Sequence, residues 1–158
     1  MAAIGGDLEL LLRFLCYGLL GWAIEIVWTA AGGALFAPAG GRRWALTGHT
    51  YLWMFPIYGS MAFLYEPLHD ALRPWPWPLR AVVYAAGFLA VEYAAGWALR
   101  RATGACPWDY ARRPRPSRWQ VHGLMRLDYA PAWALLGLAL EPVHDFLLRI
   151  APAVLRQL

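Results

Sequence analysis

Two glutamates, Glu25 in GWAIEIVW and Glu92 in LAVEYAAGW, stand deep inside apolar stretches of this 158-residue chain. A carboxylate near the centre of a membrane helix costs about 2.5–3.5 kcal/mol on insertion scales, so one is kept only where it has work or a partner. Tyr17 lies eight residues before Glu25 and Tyr84 eight before Glu92. Residues four apart share a helix face, which puts 17, 21 and 25 on one stripe and 84, 88 and 92 on another. Carboxylates backed by phenols could hold an ion, a proton or a polar substrate, with Tyr58 of the next stretch as a further polar group. The alternative is structural: each Glu bonds backbone groups freed by Pro56 or Pro131.

A second constellation occurs twice, as Glu66-Pro67-Leu68-His69-Asp70 and Glu141-Pro142-Val143-His144-Asp145. Two Glu-x-x-His pairs with one further Glu on each remaining helix make the ligand formula of di-metal carboxylate bundles. Depth opposes it, because Glu25 and Glu66 fall about 15 Å apart along the membrane normal at 1.5 Å per helical residue. The phrase is therefore expected to be a shallow polar shoulder where Pro67 and Pro142 restart a helix, with no metal and no cofactor. Arg13 and Arg80, about 18 Å from Glu25 and Glu92 along their helices, are expected to snorkel to headgroups. Cys16 and Cys106 fall at different depths and are read as two tolerated thiols. No P-loop, nucleophile elbow, HExxH or dinucleotide turn is present, and no nucleophile–base pair can be proposed on spacing alone.

The elements that must position these residues are apolar. The chain is 60% hydrophobic and only 15% charged, with ten Trp, where a soluble domain would carry about a quarter charged residues. Four blocks, near Leu8–Ala31, Thr50–Leu72, Leu79–Trp97 and Leu127–Ile150, approach the roughly 20 residues needed to cross a bilayer. They leave no room for a soluble domain and predict one all-α integral membrane domain over 1–158. Most Trp sit near block ends, as an aromatic belt requires. Trp108, Asp109 and Tyr110 follow the third block, and their polar-aromatic mixture suits a loop folded back on the inner mouth, or a plain turn begun at Pro107. All 14 basic residues are Arg. They concentrate after the first and third blocks, at Arg42, Arg43, Arg100, Arg101, Arg112, Arg113, Arg115, Arg118 and Arg126. That is a positive-inside pattern rather than a nucleic-acid footprint, and it puts both termini outside the cell membrane.

The doubled phrase belongs to a longer repetition. At an offset of 75, RWALTG (43–48) meets RWQVHG (118–123), Pro56 meets Pro131, and Glu66, His69 and Asp70 meet Glu141, His144 and Asp145. At an offset of 67, Arg13, Tyr17 and Glu25 meet Arg80, Tyr84 and Glu92. The chain thus reads as two repeats, about 8–72 and 79–150, each of two crossings. Both then enter the membrane from the same side, so the repeats are parallel, which disfavours an inverted-repeat transporter.

At GWAIE, WMFPIYG, VEYAAGW, ACPWDYA and GLMRLDYAPAW the sequence resembles the bacterial family named "Putative ABC-transporter type IV" permeases, which includes the vertebrate transmembrane protein 229 group. The resemblance spans about residues 14–148. Its pattern falls on Glu25, Pro56, Tyr58, Gly59, Glu92, Gly96, Trp108, Asp109, Tyr110, Gly123 and Trp133. Many bacterial members carry Asn where this chain has His122. The resemblance implies a permease-like role with an ATPase subunit as partner, although ARRPRPSRW offers no clear coupling helix.

The expected protein is thus a small four-crossing bundle in the lipid bilayer, homo-oligomeric, with a transport-associated role and a polar site around Glu25, Glu92, Tyr17, Tyr84 and Tyr58. A non-transporting scaffold or lipid-interacting protein is the first alternative, and a membrane enzyme the second. The arginine distribution predicts that a reporter fused after residue 158 reads as external and one in the 110–118 connector as cytoplasmic. A cytoplasmic C-terminus would reverse the orientation and leave the repeat intact.

Overall fold

A computed structural model of the chain describes residues 2–36, 43–112 and 117–157. Arg42, Arg113 and Arg115 of the connector count lie outside the described residues. Those described are all-α apart from one small hairpin: α1 (Ala2–Phe36), α2 (Met54–Gly59), α3 (Met61–Leu72), α4 (Trp77–Thr103) and α5 (Ala130–Leu155). Strands β1 (Gln120–Val121) and β2 (Met125–Arg126) pair antiparallel, Gln120 opposite Arg126 and Val121 opposite Met125. The chain forms two compact units, one of Met1–Leu68 with Phe146–Leu158, the other of His69–Asp145.

Local sequence explains where the helices start and stop. Helix α1 runs through a Leu- and Ala-rich stretch without proline and ends two residues before Pro38. Helix α4 opens after Pro76, with Pro78 in its first turn where no N–H is needed. It closes at Gly104, which takes φ +79° and donates its N–H to the Arg100 carbonyl at 3.0 Å. Arg100 and Arg101 in its last turn complement the helix dipole.

The second apolar block differs from its expected form. Thr50–Trp53 are not helical, and the helix breaks at Ser60, between α2 and α3. The Ser60 hydroxyl donates to the Ile57 carbonyl at 2.6 Å while its N–H bonds the Pro56 carbonyl, so the break keeps its backbone satisfied. The expected restarts at Pro67 and Pro142 do not occur. Pro67 lies inside α3 and Pro142 inside α5. Each removes one backbone donor from its helix, which an apolar environment tolerates when packing holds the segment.

Two helical segments are long and apolar enough to cross a membrane, Gly5–Phe36 and Trp77–Thr103. Their surfaces are inside out relative to a water-soluble core. Leu19 on α1 is 59% exposed and Val82 on α4 66%, whereas Glu66, His69 and His144 are buried. An apolar surface of that extent is stable against lipid rather than water.

Within the units, helices approach through glycine. A Cβ at Gly21 of α1 would fall inside the Tyr58 side chain of α2, and one at Gly137 of α5 inside Tyr84 of α4. Such small-residue contacts replace the hydrophobic driving force that lipid removes. Gly21→Ala and Gly137→Ala should each destabilise the protein in detergent by about 1–3 kcal/mol, the usual overpacking range. Gly32→Ala, where a Cβ meets nothing within 4 Å, should be neutral or stabilising. Thermal unfolding of the three variants checks this, and equal losses at all three would refute the packing account.

Candidate functional site

Glu25 lies on α1 facing the strand of chain that leads into α2. The Thr50 hydroxyl donates to its Oε2 at 2.7 Å, and the Tyr58 hydroxyl bonds the same carboxyl. One turn on, Thr29 Oγ1 accepts the His49 N–H at 2.9 Å. The Trp22 indole donates to the Tyr51 carbonyl at 3.1 Å. Residues 49–51 are therefore held along one face of α1, and Glu25 is the charged member of that contact. Tyr58, another residue of the expected site, lies near this carboxyl. Tyr17 is buried at 2% exposure, two helical turns away on the same helix.

Glu92 has a parallel setting in the other unit. Tyr110 donates its hydroxyl to Glu92 Oε1 at 2.6 Å. The Trp133 indole and the Arg126 backbone N–H stand against the same carboxyl. Tyr58 and Trp133 are separated by the same 75 residues that separate the doubled phrases.

The segment Trp108-Asp109-Tyr110 follows a turn through Pro107, closed by the Asp109 N–H to the Cys106 carbonyl at 3.2 Å. Trp108 and Tyr110 are buried. The Trp108 indole donates to the Leu124 carbonyl at 2.9 Å, and the Tyr110 N–H to the Gly123 carbonyl at 2.9 Å. Asp109 accepts the Ala111 N–H at 3.0 Å and pairs with Arg100 at 3.3 Å. Arg100 also donates to the His122 carbonyl at 2.9 Å. Gly123 adopts φ +73°, and a Cβ there would run into Asp109 Oδ1, so two constraints require glycine. The three residues have separate tasks: Trp108 and Asp109 close the loop, and Tyr110 reaches the membrane carboxylate. Cys106 is buried beneath this loop, and burial pushes its thiol up from the usual range, consistent with an inert packing residue.

Tyr84 does not accompany Glu92. Its hydroxyl donates to Glu141 Oε1 at 3.1 Å and meets His69 Nδ1 at 3.0 Å. Arg80 grips the same carboxylate with two bonds, Nε to Oε1 at 2.8 Å and Nη2 to Oε2 at 3.0 Å. In the other unit Arg13 Nε lies 3.1 Å from both oxygens of Glu66. The arginines expected at headgroups instead pair with the glutamates of the doubled phrase. Both members of the Arg13–Glu66 pair are largely buried, where a guanidinium needs a counter-charge more than it needs water. The histidines of the doubled phrase are enclosed by protein: His69 is 2% and His144 0% exposed. Sequence reasoning passed over this cluster, although the repetition of Arg and Glu at matched offsets was a usable signal.

An all-α chain that turns leucines outward and encloses carboxylates, phenols and imidazoles is a membrane protein. It belongs to the family described as "Putative ABC-transporter type IV", whose family model matches residues 12–156. That membership places it with transport-associated membrane proteins. No solved structure matches the chain.

The Arg80–Glu141 pair offers a direct stability test. Glu141→Met or Arg80→Met alone should destabilise the protein toward the lower end of the roughly 3–5 kcal/mol seen when one partner of a buried pair is removed. The double replacement Arg80→Met with Glu141→Met should cost less than the sum. Melting in detergent measures the cycle, and strict additivity would show that the pair is not coupled.

Proposed function

We propose that this protein is a four-crossing, permease-like component of a transport system, built as two parallel two-helix repeats with one polar station in each. In this reading α1, α2–α3, α4 and α5 are the crossings, both termini face outward, and the basic connectors face the cytoplasm. Matched chemistry at matched offsets supports the duplication. Arg13–Glu66 recurs as Arg80–Glu141, and Glu25 beside Tyr58 recurs as Glu92 beside Trp133. The observation that carries the functional reading is the placing of a carboxylate on each of the two described helices long and apolar enough to cross a membrane, each held by a hydroxyl donor from a neighbouring segment. Intramembrane carboxylates so placed mark ion and substrate paths in membrane proteins. An ATPase subunit would supply the energy, and assembly of several copies would supply the further crossings that a permease requires.

One observation favours a second reading. Glu25 and Glu92 each fasten a connector to a helix, Glu25 through Thr50 and Glu92 through Tyr110. That is also what a structural carboxylate in a membrane scaffold would do.

Glu→Gln separates the two, since it keeps size and hydrogen bonding and removes the charge. Cells expressing the wild type should change the level of some solute relative to empty-vector cells in untargeted metabolite profiling. Glu25→Gln and Glu92→Gln should abolish that change while folding and expression stay at wild-type levels. Variants that reproduce the wild-type profile would give the carboxylates to the scaffold reading.

A further inference from the structure

Outside the two glutamate stations, the His69–Asp145 unit gathers one more set of groups. His69 at the end of α3 and His144 and Asp145 on α5 place one donor atom each within 4.8 Å of one another. The imidazoles pack edge to face with ring centroids 4.7 Å apart. We propose that His69, His144 and Asp145 form a binding site for one divalent first-row transition metal ion, of the two-histidine, one-carboxylate kind.

Tyr84 gives its single hydroxyl proton to Glu141, so its oxygen receives the proton on His69 Nδ1 at 3.0 Å. In neutral imidazole that assigns the lone pair to Nε2. On His144, Nε2 faces Asp70 Oδ1 at 3.2 Å; a carboxylate accepts, so Nε2 carries the proton and Nδ1 the lone pair. Each histidine thus has one nitrogen bonded to an oxygen partner and presents the other as a base. This is the arrangement that fixes tautomer and raises basicity in metal-bound histidines, with Tyr84–Glu141 and Asp70 as the outer partners. Imidazole and carboxylate together suit zinc and its neighbours better than calcium or magnesium.

Charge also fits. The surrounding carboxylates are Asp70, Glu141 and Asp145, and the cations facing them are Arg73 and Arg80. The carboxylates exceed the cations by one, so a divalent ion is not repelled. Arg73 bonds both oxygens of Asp145, at 3.0 and 2.6 Å, from a mostly exposed position. It is the natural competitor of the ion and would yield at least one oxygen to it. This set is smaller than the di-metal formula and uses neither Glu25 nor Glu92, so it stands whether or not those carboxylates transport anything.

The test uses the full chain in detergent, stripped with a chelator and titrated with zinc against a chromophoric competitor, with cobalt as a visible-spectrum probe. The wild type should bind about one zinc per chain and give the absorption bands of a low-symmetry cobalt site with nitrogen ligands. His144→Gln and Asp145→Asn should weaken binding at least tenfold, while Tyr84→Phe should cost about 10–100-fold as an outer-partner loss. Arg73→Gln should bind more tightly than the wild type, a result that a purely structural Arg73–Asp145 bridge does not produce. If His144→Gln misfolds, Asp145→Asn, whose side chain is partly exposed, still decides. Substoichiometric zinc in the wild type, or affinity unchanged in Asp145→Asn, would overturn the site.

Discussion

Moving a guanidinium and a carboxylate out of water is costly for each alone, and only close, well-oriented pairing returns most of that cost. Arg13 with Glu66 and Arg80 with Glu141 meet this condition with two contacts each. Each pairing fixes more than two side chains. Once Arg80 holds Glu141, the Oε1 of that carboxylate accepts from Tyr84, and Tyr84 sets the tautomer of His69. In the other unit, the Arg13–Glu66 pair joins the N-terminal half of α1 to α3, so these helices cannot slide without parting buried charges.

The remaining contacts follow from what lipid cannot supply. Between leucines facing hydrocarbon there is no hydrophobic gain to drive helix association, so packing and hydrogen bonds must do it. Glycine against aromatic ring supplies the packing: Gly18 meets Phe55, Gly21 meets Tyr58, Gly59 meets Phe14, and Gly137 meets Tyr84. Phe55 also lies against Phe14 and Trp22, with ring centroids 6.0 and 5.0 Å apart. Large side chains thus fill the spaces that small ones vacate, and the polar tips of Tyr58 and Tyr84 arrive at Glu25 and Glu141 as a consequence of that fit.

Composition made the helical, membrane character of the chain legible. The apolar blocks located α1 and α4, each end falling two to six residues short of the helix. The break at Ser60 was not readable, because Pro56 alone does not say whether the chain bends or continues. Tyr58 lies near Glu25, a proximity that spacing along one helix could not show. Tyr84 was grouped with Glu92 because both lie on one stripe of α4, but a stripe does not reveal which neighbour faces each of its turns. Arg13 and Arg80 were sent to headgroups by an argument confined to their own helix. Their partners come from 53 and 61 residues away, and no argument along a single helix reaches that far.

The Trp108-Asp109-Tyr110 loop shows how the connector and the membrane interior are linked. Tyr110 is held at its backbone by Gly123 and at its hydroxyl by Glu92. Gly123 in turn is fixed by its left-handed backbone and by the closeness of Asp109, which Arg100 and Arg112 engage. A rearrangement of the hairpin Gln120–Arg126 must therefore either carry Tyr110 with it or break its bond to the carboxylate. The backbone N–H of Arg126 lies near the same carboxyl, but the hydrogen-bonded link from the loop to Glu92 is Tyr110. That short linkage is a physical reason for Trp, Asp and Tyr to stand consecutively: the first two fix the loop, and the third carries its bond to the helix.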